Sequence, residues 1–302
     1  MRHRAVGRIA VVSGTPEFHL YLPQMRLTID AMVEKARAAE AAGFVGMAGM
    51  DHLAPPLAEQ HDMYEALTTN AWLLARTERL VQGQLVLCDA FRHPAVLARE
   101  AVTLDHASGG RFELGIGWGS VVQEFTTYGV SPIAARERVQ RLTETLDILR
   151  GLWSGEPFDY DGEYFRLEGA QQAPVPGGSI PIVIGGTGKR TMGLVAAHAD
   201  WWNVPIHQLD RLDEMRASAG DARVSVQQMF AFVPQGVDRA EIEEPARRRF
   251  RYQTPVIGGR DELVDHFSAM RERGVERFYA WFADFAPPET LEAFGAEVIS
   301  SF

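Results

Sequence analysis

The sequence predicts an α/β fold, a (β/α)8 TIM barrel, on three observations. Short β-rich apolar runs alternate with amphipathic helical stretches, the pattern of parallel βαβ units. That cycle can be followed through eight strands. The 302 residues also suit one undivided barrel, and neither a solenoid repeat nor a low-complexity linker divides them. The expectation is one barrel domain over residues 1–302 with an insertion around 154–179.

Taken in order, Arg8 to Val12 reads as strand one. Ile29 to Ala42 follows as a helix, with Ile29, Met32, Val33 and Ala36 at helical spacing and Gly43 as its stop. Phe44 to Ala48 is strand two, leading to Asp51-His52, and a helix over Met63 to Arg76 leads to strand three, Leu80 to Leu87. Pro94 opens the next helix, Ala95 to His106, because proline suits the first helical position. Strand four is Phe112 to Ile116, and a long helix spans Ile133 to Trp153. Ser154 to Ser179 breaks the cycle, with a hairpin over Phe158 to Phe165 turning at Asp161-Gly162. The cycle resumes with strand five at Ile180 to Ile184 and the helix Arg190 to Ala199. Strand six is Trp201 to Val204, followed by a helix over Leu209 to Ser218, and Val224 to Val233 is strand seven. The helix Asp261 to Arg273, strand eight at Arg277 to Phe282 and a closing helix Pro288 to Ile299 complete the barrel.

Composition bounds the function. Acidic residues outnumber basic ones 40 to 30, and the resulting −10 charge opposes nucleic acid and anionic lipid. A lone cysteine, Cys88, makes neither a disulfide nor a cysteine-rich zinc site. Arg8 interrupts the apolar N-terminal run, and no uncharged stretch reaches the ~20 residues of a membrane span. A cytoplasmic protein acting on a small molecule is the expectation.

In a barrel, chemistry belongs just past the C-terminal ends of the strands. Asp51-His52 follows strand two, and an imidazole titrating near neutrality suits proton transfer there, although such a pair also serves as a surface contact or helix cap. Gly115, Gly117 and Gly119 alternate around Ile116 and Trp118, baring a backbone on which a flat ring can lie or simply easing a tight strand end. Ile184-Gly185-Gly186-Thr187-Gly188-Lys189-Arg190-Thr191 runs from strand through glycine loop into helix, a site for phosphate. It is not a Walker A loop, because Arg190 follows Lys189. Arg92, after strand three, meets either an anion or a salt-bridge partner. No His-Glu-x-x-His or Gly-x-Ser-x-Gly motif occurs, which speaks against zinc and serine hydrolysis. A ring platform beside one phosphate cradle suggests a mononucleotide-like flavin with His52 near the reacting ring.

Four stretches resemble the bacterial luciferase-like flavin and deazaflavin oxidoreductases. They are Ala39-Glu40-Ala41-Ala42-Gly43-Phe44 with Asp51-His52-Leu53; Arg92-His93-Pro94-Ala95 with Leu104 to Gly117; Leu152-Trp153-Ser154-Gly155 with Tyr160 to Phe165; and Pro181 to Gly188. A looser match follows at Val256 to Glu262. The resemblance implies a TIM barrel with an insertion and is strongest to the branch using coenzyme F420. It implies a cis peptide at Leu85-Val86 behind the deazaflavin ring, Asp51 and His52 beside it, Gly117 and Trp118 against it, and Gly185 to Thr191 on the cofactor phosphate. His52 handles the proton. It also implies a homodimer. Two positions depart from the sugar-phosphate dehydrogenases of that branch, Pro56 in place of Trp and Ser120 in place of Glu. The leading expectation is F420-dependent hydride transfer to or from a small organic substrate. The alternative is an FMN-dependent monooxygenase fed by a separate reductase.

Overall fold

The computed structural model describes residues 14–56, 58, 60–131, 134–250 and 255–302. Strand β1 (Glu17–Tyr21) and helix α1 (Ile29–Ala41) begin the chain, followed by β2 (Gly46–Gly49), α2 (Ala66–Leu74), β3 (Val81–Gln84) and β4 (Leu87–Cys88). Next come α3 (Pro94–Ser108), β5 (Leu114–Gly117), a short α4 (Val122–Thr127) and the long α5 (Ala135–Trp153). An antiparallel hairpin, β6 (Phe158–Asp161) with β7 (Arg166–Ala170), interrupts the cycle. The second half holds β8 (Ile182–Gly185), α6 (Lys189–His198), β9 (Trp201–Val204), α7 (Leu212–Arg216) and β10 (Arg223–Phe232). It ends with α8 (Arg239–Arg249), β11 (Val256–Gly258), α9 (Arg260–Glu272), β12 (Val275–Phe282) and α10 (Pro288–Glu297).

Parallel pairing runs β3-β2-β1-β12-β10-β9-β8-β5-β4. Because β3 and β4 are two halves of one strand, these nine segments fill eight barrel positions. The ring closes across that break: Gln82 N–H donates to the Arg111 carbonyl (2.8 Å) and Glu113 N–H to the Gln82 carbonyl (3.0 Å). The predicted barrel is therefore present, with β11 added beside β10.

Local chemistry sets the element ends. Thr28 caps α1 by accepting from Ala31 N–H, and Gly109 ends α3 in the left-handed conformation at φ 67°. The hairpin turns later than expected, over Gly162 to Phe165, because the Glu144 carboxylate on α5 accepts from the N–H groups of Glu163, Tyr164 and Phe165. Outward strand faces pack on the helices through Phe18, Phe230, Phe278 and Phe282 against Phe267 and Phe294. This aromatic layer is fully buried.

One expected strand needs correcting. Arg8 to Val12 lies outside the described residues, and the first barrel position is filled by β1, a stretch given no element from sequence. Its inward residues explain why: Glu17 and His19 alternate with the outward Phe18 and Leu20, so the strand carries charge on its barrel face. There Arg277 donates to Glu17 (Nε to Oε2, 2.7 Å) and to Glu113 (Nη1 to Oε2, 2.7 Å) while lying 3.7 Å over Trp201. Tyr279 Oη donates to Glu113 at 3.2 Å. A buried charged layer thus forms the floor, and Tyr279 joins it to the apolar layer of Tyr21, Ala48, Met50, Leu85 and Trp281 above.

Candidate active site

Above that layer, at the C-terminal ends of the strands, lies a cavity of about 440 Å³. Its wall gathers residues from six places: Tyr21 at the end of β1, Asp51 and His52 after β2, Leu85 to Cys88 across the β3–β4 break, Gly117 to Ser120 at and after the end of β5, Glu124 and Phe125 of α4, and Gly185 to Gly188 with Thr191. Of the sequence-derived candidates, Asp51, His52, Leu85, Val86, Gly117, Trp118, Gly185, Gly186, Thr187, Gly188 and Thr191 all meet here. Lys189 and Arg190 do not line it; both are exposed on the first turn of α6.

His52 is held by a residue that sequence reasoning missed. Glu124 Oε2 lies 2.8 Å from His52 Nδ1, while its Oε1 accepts from the N–H groups of Leu53 (2.6 Å) and Ala54 (3.2 Å). Burial raises the Glu124 pKa, but the His52 contact and the two backbone donors outweigh it and hold the group below the ordinary carboxylate range. An ionised Glu124 cannot donate, so Nδ1 carries the proton and Nε2 is left to the cavity. The missed signal was positional: Glu124 sits seven residues beyond Gly117 on a short helix, where a lone acid reads as a solvated side chain.

Asp51 has a different task. Its Oδ2 accepts from Cys88 N–H (2.8 Å) and Arg92 Nη1 (2.6 Å), and its Oδ1 accepts from Arg92 Nη2 at 3.1 Å. Arg92 therefore has a salt-bridge partner, and it also reaches Glu65. Arg141 ties the same segment to α5, donating to the Arg92 carbonyl (2.9 Å) and pairing with Asp89. Both oxygens of Asp51 are thus engaged, and they tie the end of β2 to the start of β4 and to Arg92. Cys88 is inert, since burial pushes its thiol up to about 12.

The Leu85–Val86 peptide is cis, as the resemblance implied. Gly117 faces it: a Cβ there would fall 2.8 Å from Val86 Cγ2, so only glycine leaves this wall flat. Across the cavity, the glycine loop leads into α6, whose N-terminus no side chain caps. Part of the loop is already committed. Gly186 N–H donates to the Asn203 carbonyl at 3.2 Å, and Thr187 Oγ1 donates to Gln208 at 2.7 Å. What remains for an anion is the first turn of α6, where the helix dipole is positive. A flat wall, an uncapped helix N-terminus and a volume within the 300–1,000 Å³ range of ligand sites together fit a flavin-type group carrying a phosphate. Among the described residues, no cluster of His, Cys, Asp or Glu is placed to hold a metal ion, and no helix is long and apolar enough to cross a membrane.

The chain is 39% identical over 162 residues to an F420-dependent glucose-6-phosphate dehydrogenase of Mycolicibacterium fortuitum, covering 52% of this chain and 47% of that one. It is 38% identical to the protein of that name from Mycobacterium tuberculosis, over the same shares. The chain thus spans about half the length of the curated relatives it matches. Two solved structures share its fold. An F420-dependent secondary alcohol dehydrogenase superposes with a TM-score of 0.80 at 17% identity, over 94% of this chain and 98% of that one. The coenzyme F420-dependent tetrahydromethanopterin reductase of Methanopyrus kandleri does so with a TM-score of 0.76 at 19% identity, over 96% and 100%. The family model for luciferase-like monooxygenases matches residues 14–297, and the chain belongs to that family.

Proposed function

We propose that this chain is an oxidoreductase using the deazaflavin coenzyme F420, with one barrel domain over 1–302 and His52 as its proton-handling residue. The observation that carries the reading is the free Nε2 of His52, aimed by Glu124 into a cavity whose opposite wall ends in the uncapped N-terminus of α6. F420 is preferred over FMN because the 38–39% identical relatives carry F420 in their names. A monooxygenase from Streptomyces bottropensis appears at 17% identity, a level that speaks to fold alone. When bound, F420 exchanges a hydride with the substrate.

Around it, Leu85, Val86 and Gly117 present the flat wall, and Trp118 closes the β5 side. The first turn of α6, with Thr191, would take the phosphate, and Lys189 and Arg190 would attract its negative charge from outside the wall. His52 takes up a proton at Nε2 during substrate oxidation, and Glu124 stabilises the positive charge; in the reverse direction the same atom donates. Leu87, Cys88 and Phe125 keep water from the pocket. The substrate is unidentified, and Pro56 and Ser120 oppose a sugar phosphate. Homodimer formation and a cytoplasmic location belong to the same reading, and a separate reductase would serve only the FMN alternative. Titrating the purified protein with F420 and with FMN, followed by gel filtration, tests the reading: F420 should co-elute and FMN should not. Retention of FMN alone would overturn it.

A further inference from the structure

Beyond the cavity wall, the aromatic side chains do not stop. Tyr21, which lines the cavity, meets Trp281 edge-on at 5.1 Å, and Trp281 meets Phe250 at 5.3 Å. Arg249 then lies over Phe250 at 5.4 Å and over Phe285 at 3.3 Å, while Arg26 reaches the Phe285 ring at 5.8 Å. These residues come from the ends of β1 and β12, the loops that follow them, and the end of α8. They form one strip leading from the cavity along the rim of the barrel.

Two features of that strip are costly to the fold. Arg26, Phe285 and Ala286 are the non-glycine residues with positive φ among the described residues, at 60°, 67° and 53°, and all three gather here. Residues are held in this region only where the surroundings enforce it, and such positions concentrate at ligand clamps. Here the enforcement is visible: Asp284 accepts from Ala286 N–H at 3.0 Å and Lys35 Nζ donates to the Ala286 carbonyl at 2.8 Å. The second feature is charge. Arg249 spends Nη1 on the carbonyls of Phe282 and Ala283, and neither it nor Arg26 has a carboxylate within salt-bridge distance among the described residues. Asp284, whose charge reaches Arg249, makes its hydrogen bonds to Ala286 and Thr290. The buried indole Nε1 of Trp281 also lacks an acceptor.

We propose that this strip is the substrate subsite of the cavity and that it selects a flat apolar molecule carrying one anionic group, carboxylate, sulfonate or phosphate ester. The apolar body lies along Trp281 and Phe285, and the anion sits between Arg26 and Arg249. Cations presented over aromatic faces keep an anion and a ring within reach of one ligand. The proposal takes from the F420 reading only that the adjoining cavity is where hydride transfer occurs.

The test needs no cofactor and so fails separately from that reading. The probe is 8-anilinonaphthalene-1-sulfonate, compared with N-phenyl-1-naphthylamine, which lacks the sulfonate, each followed by its fluorescence. Wild-type protein should bind the sulfonate at least about tenfold more tightly than the neutral amine. The R26Q/R249Q variant should lose that advantage while keeping its affinity for the amine. Arg26 is exposed, so R26Q alone should fold normally and lose part of the advantage, and R249K should retain most of it. Equal affinities in wild type and R26Q/R249Q would mean the dye binds elsewhere and would overturn the subsite.

Discussion

Replacing Glu124 by Gln separates a proton-handling His52 from a structural one. The carboxylate receives three hydrogen bonds, 2.8 Å from His52 Nδ1, 2.6 Å from Leu53 N–H and 3.2 Å from Ala54 N–H, with only 8% of the side chain exposed. Glutamine keeps one acceptor, which the two backbone donors require. Its NH2 must then face Nδ1, and the ring proton moves to Nε2. Hydrogen bonds to charged groups contribute ~1.5–3 kcal/mol against ~0.5–1.5 for neutral ones. The variant should therefore lose about 1–2 kcal/mol, a few degrees in Tm. Turnover should fall much further. With Nε2 already protonated and no carboxylate to stabilise an imidazolium, the ~10²–10⁴ contribution of acid–base catalysis is largely lost. His52→Ala should match that loss in kcat, and the E124Q/H52A double variant should be no slower than H52A, because residues acting as one unit are not additive. Thermal melts and single-turnover absorbance of F420 read both quantities. A wild-type rate in E124Q, or losses that add in full, would refute the assignment of Glu124 to His52.

Three further outcomes are expected. Gly115→Ala should unfold the protein or lower Tm severely, because its Cβ would lie 1.7 Å from the Gln84 carbonyl oxygen, whereas Gly178→Ala meets nothing within 4 Å and should melt like wild type. Stability should fall with acid in two stages. Buried His19 has a lowered pKa, so the unfolded chain binds its proton first and stability drops as pH falls through about 6.5; Glu17, held at about 2, contributes stability that is present above its unfolded value near 4.5 and lost as pH falls towards 2. A Tm that is flat from pH 7 to 3 would contradict both. Replacing Lys189 and Arg190 together with Ala should weaken F420 binding at low salt and leave it nearly unchanged at high salt, since both side chains act from outside the wall; a salt-independent loss in a titration would place them in contact.

The parts of the fold that were legible in sequence are those where period and burial agree. Trp201–Val204 coincides with its expected strand, and the expected helix at Pro288 begins where proline fits a first turn. Strand β1 was invisible because the barrel interior at Glu17 and His19 is charged, and a strand with polar residues on its buried face loses the signal that periodicity reads. α8 was missed for the related reason that Arg239 to Arg249 is rich in charge and holds Pro245, a composition that reads as loop, and β11 because it is only three residues long.

At the site, most residues singled out in the sequence line the one cavity. Glycines at Gly117 and Gly185 to Gly188, and the His beside the strand-two end, announce themselves because few other residues could replace them there. What sequence could not place were side chains that act across the barrel. Glu124 lies 72 positions from His52 and Arg92 lies 41 from Asp51, so no local pattern joins them, and only closure of the barrel brings each acid to its partner. The same closure decides their chemistry. Asp51 and Glu124 are both buried carboxylates within one cavity, yet the first is saturated by a guanidinium and an amide while the second faces an imidazole. An acid held by a permanent cation stays fixed through a turnover, whereas one held by a group that gains and loses a proton takes part in it. On that difference in partner, invisible from residue type, rests our proposal that Asp51 positions the turn and that the Glu124–His52 pair handles the proton.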